Sequence, residues 1–502
     1  MIFKSFDTLK DKKEKIFFKE QISVYIRLVE VFCEKHGVEF KTKEHVDITD
    51  ELIDIGVISN SLQVEEFKSF LDKDWCKFEE AVKFSVLHKD EMNGLLDQLS
   101  NKKRAEIQKK SKNRKKYSLV DFFCGAGGLS LGFLQEGFNV KLANDIEDVC
   151  IQTYKYNHPE LPTNRLIQGD IKVIVDNIEN YIDQPIDIVV GGPPCQGFSE
   201  ANRQRVIDDP RNKLYKYFVQ AVEKIAPKFV VMENVKGMLK VANQVVEDYG
   251  KLRVYIDGNE CSYIVSYKVL VSHDFEVAQT RERLIYIAIR SDIADKKKIV
   301  PQDIFSMIEK NCAGNKKHNL SEALEFIKPL EAPRVKNMNE VDSDVTGKKI
   351  DVNSFSGDDN EYLRLINMNR KIPYLYNHKA RYLSDVNYEI YKRLNQGDDA
   401  SDEKIRDIMP YAHRLHCFKD KYYKLIADRP CRTITAHLRM DCHSHIHPFQ
   451  IRALTPREAA RVQSFPDDYL FWGAYLKTYM QVGNAVPPMM ARGIAKVIKQ
   501  FL

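Results

Sequence analysis

No stretch of this 502-residue sequence is apolar for long enough to cross a bilayer. Residues 1–7 lack the apolar core of a secretory signal, so the expected location is the cytoplasm. The ten cysteines are scattered and show no paired framework, which excludes a disulfide-stapled scaffold and predicts free thiols in a reducing compartment. A strong charge of one sign is also missing. Lys and Arg number 77 against 72 Asp and Glu, and a net charge of +5 implies no polyanionic partner by itself. No internal repeat is found, which excludes a repeat array. The glycines at 125–128 are not followed by the lysine and Ser/Thr pair of a phosphate loop, which argues against a nucleotide triphosphatase.

What is present falls into three textures. Residues 1–116 are helical and amphipathic, with Ile16, Phe17, Ile22, Ile26, Val29 and Phe32 near helical spacing, and Phe67, Phe70, Leu71, Phe78, Ala81 and Val82 likewise. This extension ends in a basic run, Lys102, Lys103, Arg104, Lys109, Lys110, Lys112, Arg114, Lys115 and Lys116, with Glu106 as its one acid. Such a run is either a solvated linker or a phosphate-contacting arm. From 117 to 290 short apolar runs (118–123, 186–190, 229–232 and 284–289) alternate with helical patterns at 129–136 and 214–225. That alternation predicts a doubly wound α/β sheet. Residues 291–428 lose the pattern and read as polar loops with a few short elements, and regularity returns over 429–502. One sheet domain interrupted by an insert is the simplest architecture.

Two places carry chemistry. The first is the strand-to-helix turn holding Gly125, Gly127 and Gly128, where glycines let a ligand approach the backbone and a helix N-terminus favours a negative group. Asp145 stands where an acid ending the second strand would bond a ribose hydroxyl, and Asp170 where one could accept from an adenine amino group. Singly, each acid also fits a helix cap. Together with the turn they outline a nucleoside pocket. The second is Gly191-Gly192-Pro193-Pro194-Cys195-Gln196-Gly197-Phe198-Ser199 after an apolar strand. Two prolines fix the chain as it leaves the sheet, and Cys195 then sits on a rigid turn among Pro, Gln, Gly and Ser, the setting of a reactive thiolate rather than a packed thiol. The polar stretch from Gly197 to Asn212 leaves room for a loop that closes over a substrate.

These residues resemble, in order, the motifs of the cytosine-C5 DNA methyltransferases. Residues 121–128 are similar to the family's cofactor motif and Pro194-Cys195-Gln196 to its Pro-Cys-Gln motif. Glu233-Asn234-Val235 matches Glu-Asn-Val, and Gln279-Thr280-Arg281-Glu282-Arg283 matches Gln-x-Arg-x-Arg. The stretches 452–466 and 481–487 match the last two motifs. The similarity covers 117–290 and 429–502. It implies a Rossmann-like α/β sheet that binds S-adenosylmethionine, an inserted and irregular target-recognition domain over 291–428, and an N-terminal helical extension. It implies Cys195 as the nucleophile adding to C6 of a flipped-out cytosine. Glu233, held protonated by burial, would supply a proton at N3. Arg283 would contact the cytosine O2, and Arg281 would support the loop and the sugar-phosphate. Asn234, Gln279, Gly197 and Ser199 would be supporting residues. The implied cofactor set is Phe123, Gly125, Gly127, Gly128, Leu129, Asp145, Ile146, Asp170, Ile171, Pro194, Leu214, Asn484 and Val486.

The implied partner is double-stranded DNA, with a restriction endonuclease encoded nearby, no membrane, and a monomeric enzyme, nucleoid-associated in a prokaryote. The sequence departs from the family at Glu276 and Ala278, where Gly and Pro are usual, and at Asp145, where Glu is commoner. Cys431, His437, Cys442, His443, His445 and His447 crowd one stretch, but their spacing fits no standard zinc site, and no metal is expected. The alternatives are an RNA cytosine methyltransferase and a non-catalytic DNA-binding relative. The Cys-Phe-Thr tripeptide of the transfer-RNA branch is absent, and no catalytic motif has been lost. For residues 1–116 a transcriptional role is a further alternative.

Overall fold

The computed structural model describes residues 3–88 except 4 and 43, 117–194 except 159, and 213–502 except 337–340, 352–357, 371, 373 and 411–420. Its centre is a seven-stranded sheet. The strands are β1 (Tyr117–Phe122), β2 (Phe138–Asp145), β3 (Leu166–Gln168), β4 (Ile188–Gly191), β5 (Phe229–Asn234), β6 (Tyr263–Val271) and β7 (Glu282–Arg290). They lie in the order β3-β2-β1-β4-β5-β7-β6. β1 to β5 pair in parallel, and β7 runs antiparallel to both β5 and β6.

The expected α/β sheet is therefore present, and its central strands β4 and β5 are largely apolar because both faces are covered. Successive residues alternate between two cores. Leu119, Ile188, Val190, Val231, Ile285 and Ile287 enter one, while Val120, Phe122, Val189, Val230, Met232 and Tyr286 enter the other.

The insert is more ordered than its composition suggests. Among the described residues it holds helices Ser291–Lys297, Pro301–Cys312, Leu320–Leu324, Glu361–Ile366 and Asp385–Arg393. Ile304, Phe305, Ile308, Leu320, Tyr362, Leu363 and Ile390 enter the same core as Leu119 and Ile285. A polar average hides these faces because each helix carries only a narrow apolar stripe.

At the N-terminus, α1 (Lys12–His36), α2 (Thr49–Ile55), α3 (Val64–Leu71) and α4 (Trp75–Leu87) enclose their own core of Phe18, Tyr25, Leu52, Phe67 and Phe78. Asp11 caps α1 by accepting from the Glu14 N–H, and Gly37 ends it at φ 65°, a left-handed position glycine adopts without strain. No helix among the described residues is long and apolar enough to cross a membrane.

Two buried polar clusters hold the sheet to its surroundings. In the first, helix Pro456–Val462 starts with Thr455 as cap and Pro456 in the first turn. Glu458 accepts two bonds from Arg452, both at 2.7 Å, and one from the Thr455 N–H at 2.7 Å. Both side chains of the ion pair are fully buried. Arg461 pairs with Asp467 at 2.7 Å beside it.

The second cluster lies under the turn after β1. Here α5 (Gly128–Gln135) and α6 (Asp148–Asn157) pack on β1 and β2. Ser130 of α5 donates to Asp121 of β1 and accepts from the Tyr154 hydroxyl of α6 at 2.8 Å. Asp121 Oδ1 has no hydrogen-bond partner among the described residues. Burial pushes Asp121 up to about 7, against the pull of Ser130 and with help from Asp145.

Two predictions follow from these clusters. Glu458→Ala strands the Arg452 charge in the interior and should cost about 3–5 kcal/mol in denaturant unfolding. Asp121 contributes stability as a neutral acid. That contribution is full below its ordinary value of 3.8 and is lost as pH rises toward about 7, because the unfolded chain releases the proton first. Asp121→Asn cannot ionise, so the melting temperature of the variant should gain on the parent protein between pH 4 and pH 7. Parallel thermal profiles over that window would refute it.

Candidate active site

The carboxyl ends of β1, β2 and β3 form one edge, where α/β sheets present ligands. β1 leaves the sheet through Phe123 at φ 56° and Gly125 at φ 53°. The glycines divide their work. A Cβ on Gly127 would lie 2.6 Å from His158 Nε2 and 2.8 Å from the Tyr469 hydroxyl, and one on Gly128 would run into the Val486 carbonyl oxygen. Both are small to admit protein, whereas nothing stands within 4 Å of a Cβ on Gly125. Gly125 is thus the position open to a ligand.

Asp145 braces this turn. Its Oδ2 accepts from the Gly125 N–H and its Oδ1 from the Glu147 N–H, both at 2.8 Å. Burial raises its pKa, while those two N–H groups oppose the shift. Ile146 beside it is 67% exposed, an apolar surface with no protein cover. Asp170 is exposed and caps α7 (Ile171–Asp176), accepting from the Lys172 N–H at 2.9 Å. Asn144 ties the strand ends together by donating to the carbonyls of Ile167 and Gly169, each at 3.0 Å. Of the other expected cofactor residues, Leu129, Ile171 and Val486 are buried, Phe123 and Leu214 are half-buried, and Pro194 and Asn484 are exposed.

Further along the edge, the chain leaves β4 through Gly191 and Gly192 to Pro194. Asn234 donates from Nδ2 to the Pro193 carbonyl at 2.9 Å and accepts from the Val235 N–H at 2.9 Å, so it pins the approach to Cys195. Cys195, Gly197 and Ser199 lie outside the described residues. Glu233 ends β5 at 9% exposure, and its Oε1 is 2.6 Å from Nε of Arg283 on β7. Antiparallel pairing of Glu233 with Ile285 places Arg283 on the same sheet face. A Cβ on Gly192 would come within 3.0 Å of the Glu233 carboxylate, so a larger residue would crowd it. The proton donor expected at Glu233 is here a group with a guanidinium partner, which an arriving base must displace or share.

Arg281 departs from expectation. It is 1% exposed, and its Nη1 and Nη2 donate to the carbonyls of Ile434 at 2.7 Å and Gly483 at 3.0 Å. Burial, with Arg283 nearby, presses its pKa well below the usual arginine range. The described arrangement supports its role in holding the site together and corrects the expected contact with sugar-phosphate, because its terminal nitrogens are spent inside the protein. Gln279 is likewise buried, donating to Gln463 Oε1 at 2.9 Å and accepting from the Ile434 N–H at 2.6 Å. The sequence offered no sign of Gln463 as its partner beyond its place in the 452–466 motif.

A cleft of about 330 Å³ opens beside Thr280, lined by Tyr423, Arg429, Arg432 and Asp399 among others. The Arg432 guanidinium lies 4.7 Å from the Tyr423 ring centroid. Among the described residues no group of three or more His, Cys, Asp or Glu is placed to hold a metal. In the crowded stretch Cys442 donates to the Leu438 carbonyl at 2.9 Å, His443 bonds the Tyr391 hydroxyl at 2.8 Å, and His447 accepts from the N–H groups of Phe449 and Gln450.

Residues 117–500 match the family model described as C-5 cytosine-specific DNA methylase. Among curated relatives, the type II methyltransferase M1.HphI of Haemophilus parahaemolyticus is 33% identical over 387 residues, covering 76% of this chain and 86% of the relative. Type II methyltransferase M.DdeI of Desulfomicrobium norvegicum is 30% identical over 406 residues, covering 76% and 89%. A solved structure designated a DNA modification methyltransferase encoded within an E. coli prophage aligns with a TM-score of 0.56 at 24% identity, over 77% of this chain and 99% of that one, which is a likeness of fold. With the match running unbroken from the first strand of the sheet almost to the last residue, the chain belongs to the C-5 cytosine-specific DNA methylase family.

Proposed function

We propose that this protein transfers a methyl group from S-adenosylmethionine to C5 of a cytosine flipped out of double-stranded DNA, through a covalent adduct with Cys195, as the modification enzyme of a type II restriction-modification system. The observation that carries this reading is the Glu233–Arg283 pair at 2.6 Å, set at the end of β5 beside the Asn234-pinned strand exit that leads to Cys195.

The residues of the first edge fit the donor. Gly125 is open, Asp145 offers a carboxylate and Ile146 an uncovered apolar surface for a nucleoside. When bound, S-adenosylmethionine supplies an electrophilic methyl group. Asp145 and Asp170 would bind its hydroxyl and amino groups, and Phe123, Leu129, Ile171, Leu214, Pro194, Asn484 and Val486 would line or back the pocket. The reach of Asp145 is shorter than that of the commoner Glu, and its present bonds to Gly125 and Glu147 would be shared with the ligand.

On the base side, the thiolate of Cys195 adds to C6 and raises electron density at C5, which takes the methyl group; loss of the C5 proton then expels the Cys195 thiolate and restores the ring. Glu233 holds N3 through a proton or a strong hydrogen bond. Arg283, released from part of its bond to Glu233, holds O2. Asn234 fixes the backbone before the nucleophile, and Gln279 with Arg281 fixes the strand that carries Arg283. Gly197 and Ser199 belong to the segment that closes over the base. Extrusion of the base from the duplex is required because neither face of C5 is reachable in the stack.

The division of labour we propose is catalysis by 117–290 and 429–502, target recognition by 291–428, and an accessory role for 1–116. A monomeric enzyme working on the DNA of its cell, beside a cognate endonuclease, completes the reading.

Bisulfite sequencing of DNA from cells expressing the protein should reveal 5-methylcytosine at one short sequence, and an unmodified genome would sink the proposal. Cys195→Ala should abolish that mark while binding of S-adenosylmethionine persists. A duplex carrying 5-fluorocytosine should trap the parent protein covalently and leave Cys195→Ala free.

A further inference from the structure

Residues 1–88 lie outside the stretch that matches the family. They carry 18 Asp and Glu against 14 Lys and Arg, a balance unsuited to contacting phosphates. Their long helix α1 instead touches the back of the donor edge. Glu20 Oε2 accepts from the Gly473 N–H at 3.0 Å, and the same carboxylate pairs with Lys349. The Phe17 ring lies 5.4 Å from Trp472. Val24, Leu28 and Val31 join one apolar cluster with Ile350, Tyr376, Leu470 and Trp472.

The turn at 470–473 in turn grips α6. The Trp472 N–H donates to Thr153 Oγ1 at 2.9 Å, and its ring packs 5.7 Å from Tyr156. Asn157 donates to the Leu470 carbonyl at 2.8 Å and accepts from the Leu470 N–H at 3.0 Å. Lys477 reaches Glu147 at 3.2 Å. α6 begins at Asp148, directly after Asp145, Ile146 and Glu147. A continuous set of contacts thus runs from α1 through the segment 470–473 to the carboxylate and apolar side chain assigned to the donor.

We propose that α1 is a positioning element for the methyl-donor pocket, with Glu20 and Phe17 holding the 470–473 turn that fixes α6 and, through it, Asp145 and Ile146. This rests on the reading that the Asp145 edge binds S-adenosylmethionine. None of the residues assigned to the donor or to the base lies on α1, so the effect we propose is on the geometry of the pocket. Contacts of this kind transmit a modest coupling between packed elements.

The test uses the full chain, with calorimetric titration of S-adenosylmethionine and, separately, of a target duplex, together with steady-state kinetics. Glu20→Ala should raise the Kd and KM for S-adenosylmethionine by about tenfold, with kcat at saturating donor and the Kd for DNA unchanged. Phe17→Ala should act in the same direction. Glu20→Gln keeps an oxygen for the Gly473 N–H and should recover most of the donor affinity, which a general loss of folding would not allow. Asp145→Ala serves as reference. If it weakens donor binding and Glu20→Ala does not, the inference about α1 is overturned while the pocket stands. If neither weakens donor binding, the pocket reading fails and the inference with it. Equal losses of donor and DNA affinity in Glu20→Ala would show a merely structural helix and also overturn it.

Discussion

One buried guanidinium joins three parts of the chain that are distant in sequence. Arg281 sits at the entrance to β7, yet its two terminal nitrogens hold the carbonyls of Ile434 and Gly483. The short parallel pairing of Gln279 and Thr280 with Cys431 and Arg432 lies beside it, and the Gln279–Gln463 bond closes the same joint from within. The segment that returns after the insert is also tied to the sheet's helices by bonds such as Asn157 to Leu470 and the Trp472 N–H to Thr153, and the apolar packing between these ties is non-directional. Hydrogen bonds supply the direction. The positions of Glu233 and Arg283 on one side, and of Val486 against Gly128 on the other, follow from that registration.

The interior charges obey a consistent rule. Each is paired or neutralised before it is sealed off. Arg452 has Glu458, Arg461 has Asp467, and Asp121 is held by burial toward its neutral form. Arg281 and Arg457 depart from it, since their bonds run to carbonyl oxygens rather than to a carboxylate. An interior guanidinium held by main-chain dipoles is costly in solvation, and Arg281 Nε has no hydrogen-bond partner among the described residues, but the bonds its terminal nitrogens make are directional.

Strands β4 and β5 were legible in the sequence because a strand covered on both faces is apolar along its length, as 188–190 and 229–232 are. β6 was not legible, since Tyr263–Val271 is an edge strand with partly exposed residues along much of its length. The insert helices were missed for a related reason. Ile304, Phe305 and Ile308 make a stripe too narrow to lift a polar average. At the proposed site, Glu233, Asn234 and Arg283 were singled out by motif order, and Asp145 at the end of β2 by its spacing. The split among the glycines was invisible, because His158, Tyr469 and Val486 reach Gly127 and Gly128 only through tertiary contacts. Arg281 was expected to support the sugar-phosphate for the same reason. Nothing near it in sequence announces the two carbonyls that enclose it.

That Ile304, Ile308, Tyr362 and Ile390 share a core with the central sheet has a practical meaning. The insert is not a cassette clipped to a finished scaffold. Transplanting it between relatives would remove part of the scaffold's own interior along with the insert. Changes that spare the shared interior are those at the outer surfaces of the helices and their connecting turns, with the inward faces as the fixed tenon of the joint.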